Sequence, residues 1–289
     1  MRRDKKSFLF LALISLSLGT TETSAPFPDQ AEGTRLPALL NKSLRYCRRL
    51  EKAALDFVCL EEISEKIDYS REREDEIYVP LSTGIRTQIK IAKRKQENIY
   101  LYDFQFTRKG EFKKENRNLL EKNGRKAKEK EAPLETSVFQ VRNVLFGPLG
   151  LLSENMQGYH DYRLVGEENS GGAKVAVVDA TPKATLTGTH AWGRLWIRED
   201  DGSVLKIEWN PESLPDIANL EARAKKYRSE LAVSLVTEYG IEKNGLRFPS
   251  RDVSEEAYLG PGAEKFVRSR TAVIYRDYRF FTVETDIRY

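Results

Sequence analysis

The stretch Gly193–Trp209, GRLWIREDDGSVLKIEW, constrains the fold more than any other part of the chain. It reads as a β-hairpin closed by Asp200-Asp201-Gly202. In such a loop glycine takes the position at φ > 0 without a Cβ clash. This register sets Leu195 opposite Ile207, Ile197 opposite Leu205 and Gly193 opposite Trp209 on one face. Arg194, Trp196 and Arg198 then oppose Glu208, Lys206 and Val204 on the other. One apolar and one mostly charged face mark an antiparallel sheet wetted on one side. A slip of one residue would mix the faces, so the pattern specifies the register.

Strand signals surround this hairpin. Phe57, Cys59, Ile63, Ile67 and Tyr69 alternate, as do residues 84–94, and Tyr100, Tyr102, Phe104 and Phe106 share one parity. Residues 111–131 are Lys/Glu/Arg-rich and break at Asn123-Gly124, which reads as a solvated hairpin or flap. Further strands fall at Tyr162–Glu168 and Ala173–Thr181. A second hairpin turns at Asn244-Gly245 and sets Ile241 opposite Phe248 and Glu242 opposite Arg247. Gly260-Pro261-Gly262 joins strands at 252–259 and 264–275, and Arg276-Asp277 leads into a last strand with Phe281, Val283, Ile287 and Tyr289 on one face.

Two helical segments interrupt this series. Leu36, Leu40, Leu44, Cys47 and Leu50 recur at helical spacing, with Lys42, Arg45, Arg48, Arg49 and Lys52 on the other side, predicting an amphipathic helix over 34–55. Residues 138–158 contain Phe146-Gly147-Pro148-Leu149-Gly150-Leu151-Leu152, which reads either as a core helix with a turn or as a lid over the open face of a sheet. The fold class is mainly antiparallel β with helices (α+β): a highly curved sheet of about eleven strands around a helix.

Met1–Lys6 is basic, Ser7–Gly19 apolar, and small or polar residues run through Ala25. This is the tripartite pattern of a secretory signal peptide, with an apolar run of about 13 residues, short for a bilayer span. Residues 26–33 read as a linker and 34–289 as a single domain, in the periplasm or secreted, without a cysteine placed to carry a lipid anchor. Formal net charge is +4, and the first 24 residues supply +2 of it, so the basic pI gives little support to a nucleic-acid partner. Export permits disulfides, and Cys47 and Cys59 are the only thiols. They are expected to bridge a helix to the strand after it, the alternative being two buried free thiols.

Residues with catalytic chemistry are sparse. There is no HExxH, P-loop, dinucleotide glycine motif or serine elbow. His160 and His190 have no nucleophile or metal partner within their own motifs, so both are expected to be structural or exposed. No enzyme activity, cofactor or metal is expected.

A curved sheet with an apolar concave face either fills that face with its own side chains or receives an apolar ligand there. The expected lining is Leu195, Ile197, Leu205, Ile207, Trp209, Val283 and Ile287, and the expected lid Phe146, Leu149, Leu151 and Leu152. The layout resembles the LolA/LolB-type lipoprotein-carrier fold, an unclosed β-barrel also found in the N-terminal domain of RseB-like regulators. The resemblance rests on the N-terminal segment, the helix near 34–55, the strand through Tyr69, the apolar insertion at 138–157, the Gly193–Trp209 hairpin and the terminal strands. It extends to bacterial secreted proteins with a Tyr-Cys-Arg-Arg-Leu-Glu helix, here Tyr46–Glu51, and a Phe-Gly-Pro-Leu-Gly-Leu-Leu segment, here Phe146–Leu152. It implies a periplasmic, non-enzymatic carrier or sensor of lipid or lipoprotein acyl chains. The alternatives are an envelope interaction or scaffold module with a self-filled sheet, and an outer-membrane barrel.

Overall fold

The structure is a computed structural model, and it describes residues 30–53, 56–72, 78–80, 86–88, 94–109, 112–139, 147–184, 190–214 and 217–281. Helix α1 (Gln30–Ala53) precedes β1 (Asp56–Asp68). A small pair, β2 (Tyr78–Pro80) and β3 (Arg86–Gln88), stands apart from the main sheet. Then come β4 (Lys95–Lys109), β5 (Phe112–Lys122) and β6 (Arg125–Glu129). Two short helices follow, α2 (Gly147–Leu152) and α3 (Glu154–Gln157). Next are β7 (His160–Ser170), β8 (Ala173–Pro182), β9 (Gly193–Arg198) and β10 (Val204–Trp209). Helix α4 (Ile217–Tyr227) leads to β11 (Glu230–Glu238), the short hairpin β12 (Ile241–Lys243) and β13 (Leu246–Phe248), β14 (Arg251–Leu259) and β15 (Lys265–Phe280).

Eleven strands form one curved antiparallel sheet in the order β6-β5-β4-β1-β15-β14-β11-β10-β9-β8-β7. The chain lays down two meanders. One runs outward from β1 to the β6 edge, and the other inward from the β7 edge to β15. They meet along the β1–β15 seam, from Phe57 opposite Phe280 to Ile67 opposite Ser269. Among the described strands β6 and β7 do not pair, so the barrel is unclosed.

Side-chain parity makes the inner face. Phe57, Cys59 and Ile63 of β1 stand opposite Phe106, Phe104 and Tyr100 of β4, and Val273 and Tyr275 of β15 continue the row. On the other flank Ile207, Leu195 and Val178 stand side by side across β10, β9 and β8. These residues form one buried core together with Leu39, Tyr46, Cys47 and Leu50 of α1. The outward parity carries ion pairs such as Asp179–Arg194 (2.6 Å), Glu62–Arg276 (2.9 Å) and Glu255–Lys265 (2.7 Å). A lipid-facing barrel wall would be apolar there. Among the described residues no helix is long and apolar enough to cross a membrane.

The opening hairpin forms, with one correction. Gly193–Trp196 pair with Trp209–Lys206 as expected, but a bulge beyond Lys206 puts Val204, not Leu205, opposite Ile197. Leu205 turns to the outer face and packs on Val175, Val177 and Trp196. The cause is the turn. Gly202 adopts φ +74°, and its N–H donates to the Arg198 carbonyl at 3.0 Å. A Cβ at Gly202 would lie 2.5 Å from the α1 backbone at Lys42 and Ser43, so the loop seats directly on the helix.

That contact also sets which face of α1 points inward. Leu39, Ser43, Tyr46, Cys47 and Leu50 are buried, whereas Leu36, Leu40 and Leu44 are only half-buried. The small Ser43 leaves room for the hairpin tip. The helix begins at Gln30, inside the expected linker, and ends at Ala53. Residues 112–129 form a bulged hairpin that widens the main sheet. Arg276-Asp277 does not end a strand: β15 runs on to Phe280 with Asp277 at φ +58°. The expected final strand and residues 1–29 lie outside the described residues.

The expected disulfide is not formed: Cys47 and Cys59 are both buried and free. Each thiol is engaged elsewhere. Cys47 Sγ donates to the Pro148 carbonyl at 3.6 Å, and Cys59 shares a hydrogen bond with Tyr278. Burial pushes the Cys47 thiol up to about 12, and it raises Cys59 as well.

Candidate binding site

The inner face is roofed by α1, by residues 132–139 and by residues 147–157. Residues 132–139 are a strap across β1 and β4. The Tyr102 hydroxyl lies 3.4 Å from both the Pro133 carbonyl and the Glu135 N–H, donating to the first and accepting from the second. The Ser137 and Val138 N–H groups donate to Glu65 Oε1 at 2.6 and 3.1 Å. Val138 packs on Ile67 and Tyr69.

Helix α2 then lies on α1 and on the opening hairpin. Gly147 is there because α2 comes so close. A Cβ at that position would meet the Tyr239 hydroxyl, Trp209 Cζ2 at 3.0 Å and Ile207 Cδ1 at 3.1 Å. Polar ties hold the roof. Gln157 Nε2 donates to the Leu40 carbonyl at 3.0 Å and the Leu152 carbonyl at 2.9 Å, the Tyr162 hydroxyl donates to Leu151, and Arg48 pairs with Glu154 at 2.6 Å. His160 is buried, with Nδ1 2.9 Å from the Met156 carbonyl and Nε2 without a partner. His190 is exposed.

The structure brings most of the expected site together. Leu195, Ile197 and Ile207 line the inner face, and Leu149, Leu151 and Leu152 cover it within the same core. Trp209 is half-buried at the margin, where its Nε1 donates to Thr237 Oγ1 at 3.0 Å. Leu205 lies on the opposite face. Phe146, Val283 and Ile287 lie outside the described residues. Leu151, Leu152, Leu195, Ile197 and Ile207 each have 0% of their surface exposed, so no water-sized space borders them. The lining is filled by the roof, at about 1.5–3 kcal/mol of stabilisation per buried leucine or isoleucine.

Sequence reasoning missed the charged residues of the inner face. Glu61 is buried beside the aromatics and forks with Arg117 at 2.6 and 2.9 Å, the guanidinium lying 4.5 Å from the Phe104 ring centre. Glu256, also buried, accepts from Arg268 at 2.9 Å, from Arg223 of α4 and from the Tyr258 hydroxyl. Arg268 reaches on to buried Glu72. Burial opposes the Glu256 charge, but Arg268 and Arg223 outweigh it and hold its pKa below the usual value. Asp252 has no such partner. Burial pushes it up to about 6, against hydrogen bonds from Thr237 (2.6 Å) and Ser254. Burial likewise raises Glu65, against the two strap N–H groups. Among the described residues no cluster of side chains could hold a metal ion.

Several solved structures are similar to this chain at low identity. The chain is similar to a LolA superfamily protein from Nitrosomonas europaea, at 14% identity over 87% of this chain and 96% of that one, with a TM-score of 0.32. It is similar to a domain assigned to outer membrane lipoprotein sorting from Vibrio parahaemolyticus (10% identity, 86% and 95% covered, TM-score 0.41). A DUF1329 family protein from Desulfovibrio piger is a third (12%, 87% and 95%, TM-score 0.38). No family model and no curated protein matches the sequence.

Proposed function

We propose that this is an exported, non-enzymatic binding protein, with residues 1–25 as its signal peptide and 34–289 as one domain. It takes an acyl chain of a lipid or lipoprotein between the inner face of the sheet and the α2–α3 roof. The observation that carries this reading is how the inner face is closed. Beside α1, its apolar wall is covered by α2, a helix of only six residues that contributes Leu149, Leu151 and Leu152. An acyl chain replaces those side chains with equivalent apolar surface, at about 0.8 kcal/mol per buried methylene. The described arrangement is then the closed, self-filled state, and ligand shifts the population toward the open one.

Native mass spectrometry of protein purified from cells, with titration by a fluorescent fatty acid, tests this. Co-purifying lipid or saturable binding supports the carrier. Clean apo-protein with no binding overturns it.

A second reading is favoured by the complete burial of Leu195, Ile197 and Ile207. In it the sheet is permanently filled and serves as an envelope interaction or scaffold module. Hydrogen exchange separates the two: slow exchange in α2 and α3, matching that of β9 and β10, favours the filled scaffold.

A further inference from the structure

The buried acids of the inner face come in two kinds. Glu61 and Glu256 each have an arginine against them. Glu65 and Asp252 have no cationic partner among the described residues. A buried carboxylate without a counter-charge is unfavourable, and such sites either take up a proton or receive a cation.

These two acids belong to a polar band across the sheet. Glu65 of β1 stands opposite Thr271 of β15, and Thr271 opposite Ser254 of β14. Asp252, two residues along β14 on the same face, stands opposite Thr237 of β11. At the Asp252 end every group is satisfied, from the Trp209 indole through Thr237 and Ser254 to the carboxylate. At the Glu65 end two atoms are not. Glu65 Oε2 and Thr271 Oγ1 are both buried without a hydrogen bond, on directly paired residues that are each 0% exposed. Glu65 Oε1 accepts from the strap N–H groups of Ser137 and Val138, in the cover that must lift for a chain to enter, and the Ser137 and Asn98 side chains also favour its charged form.

We infer that Glu65 and Thr271 receive the protonated amine of a long-chain amphiphile, with Asp252 adding a second negative charge along the band. The inference rests on the acyl-chain reading and names the head group of its ligand. A primary ammonium has three donors. They match Glu65 Oε2, Thr271 Oγ1 and the Oε1 that the strap vacates. A carboxylate or phosphate head would meet two carboxylates with no cation to offset them. A hydroxyl head offers one donor and no charge.

The test is equilibrium binding of dodecylamine, 1-dodecanol and dodecanoate to the full chain, below micelle-forming concentrations. The amine binds about tenfold or more tighter than the alcohol, as expected of hydrogen bonds to a charged group, and the acid binds weakest. In E65Q the amine-to-alcohol preference falls to about one. If E65Q does not fold, T271V reports instead: it removes an oxygen that holds no hydrogen bond, keeps the melting temperature and lowers only amine binding. Alcohol binding without a preference for the amine, or a preference that survives both substitutions, overturns this inference alone. Absence of binding by all three ligands overturns the acyl-chain reading beneath it.

Discussion

Adding one methyl group at Gly147 separates a displaceable roof from a permanent core. A Cβ there would meet the Tyr239 hydroxyl, Trp209 Cζ2 at 3.0 Å and Ile207 Cδ1 at 3.1 Å. Tyr239 and Ile207 are buried, so neither side chain has solvent to swing into. Overpacking of this kind costs about 1–3 kcal/mol. The open state does not feel the clash, because α2 has left the sheet. Gly147→Ala therefore shifts the closed-to-open equilibrium by the same energy, about 5- to 150-fold. Apparent affinity scales with the competent fraction, so a fluorescent fatty acid binds tighter by that factor until the open state dominates. Urea denaturation of the same variant shows a loss of about 1–3 kcal/mol. Equal destabilisation with unchanged or weaker binding refutes the argument, because α2 is then core and not a roof.

Four other outcomes follow from the geometry. Gly202→Ala costs more than Gly245→Ala in chemical denaturation, because both glycines have φ near +70° but only Gly202 faces the α1 backbone; the left-handed conformation alone costs about 1–2 kcal/mol, and the excess over that measures the hairpin–helix contact. Arg268→Met leaves Glu72 and Glu256 short of their shared cation and destabilises by about 3–5 kcal/mol, read by thermal or urea unfolding. Asp252, raised to about 6 in the fold, keeps its proton where the unfolded chain has lost it, so its contribution is fully present below pH ~4 and is lost as pH rises through about 6. Relative to Asp252→Asn, the wild type loses about 3 kcal/mol between those limits, and parallel pH profiles contradict the assignment. Finally, Cys47 and Cys59 resist thiol reagents in the native protein and both react in denaturant without reductant; a thiol count of zero restores the disulfide.

What the sequence made legible was local. The Gly193–Trp209 and Asn244-Gly245 hairpins follow from turn chemistry and period-2 alternation, and the expected pairs Glu242–Arg247 and Ile241–Phe248 form. The aromatic parity of β4 likewise points inward. Tertiary contacts took over where two elements meet. Leu205 left the inner face because the hairpin tip seats on α1, and α1 rotated to present Ser43 for the same reason. The polar band was hidden for a different cause. In β14 the residues that point inward are Asp252, Ser254 and Glu256, while Val253 lies on the outward parity. An apolar-inside rule reads that strand backwards. Only the register with β1 and β15, distant in sequence, brings Glu65 and Thr271 together.

Among the described residues the β6 and β7 edges of the open sheet are unpaired, and the residues there oppose pairing. Strand β6 is five residues long and carries Arg125, Lys126, Lys128 and Glu129. Strand β7 is longer, but a bulge between Leu164 and Gly166 interrupts its ladder with β8, and Glu167 and Glu168 follow. Short, charged and bulged edges oppose strand addition by another chain. An interaction module working by edge pairing would need the reverse, a long flat edge with free backbone groups. Among the described residues the continuous apolar wall lies inside the curve, under α1 and α2. Reaching it requires moving the roof, which the carrier reading needs and the filled-scaffold reading excludes.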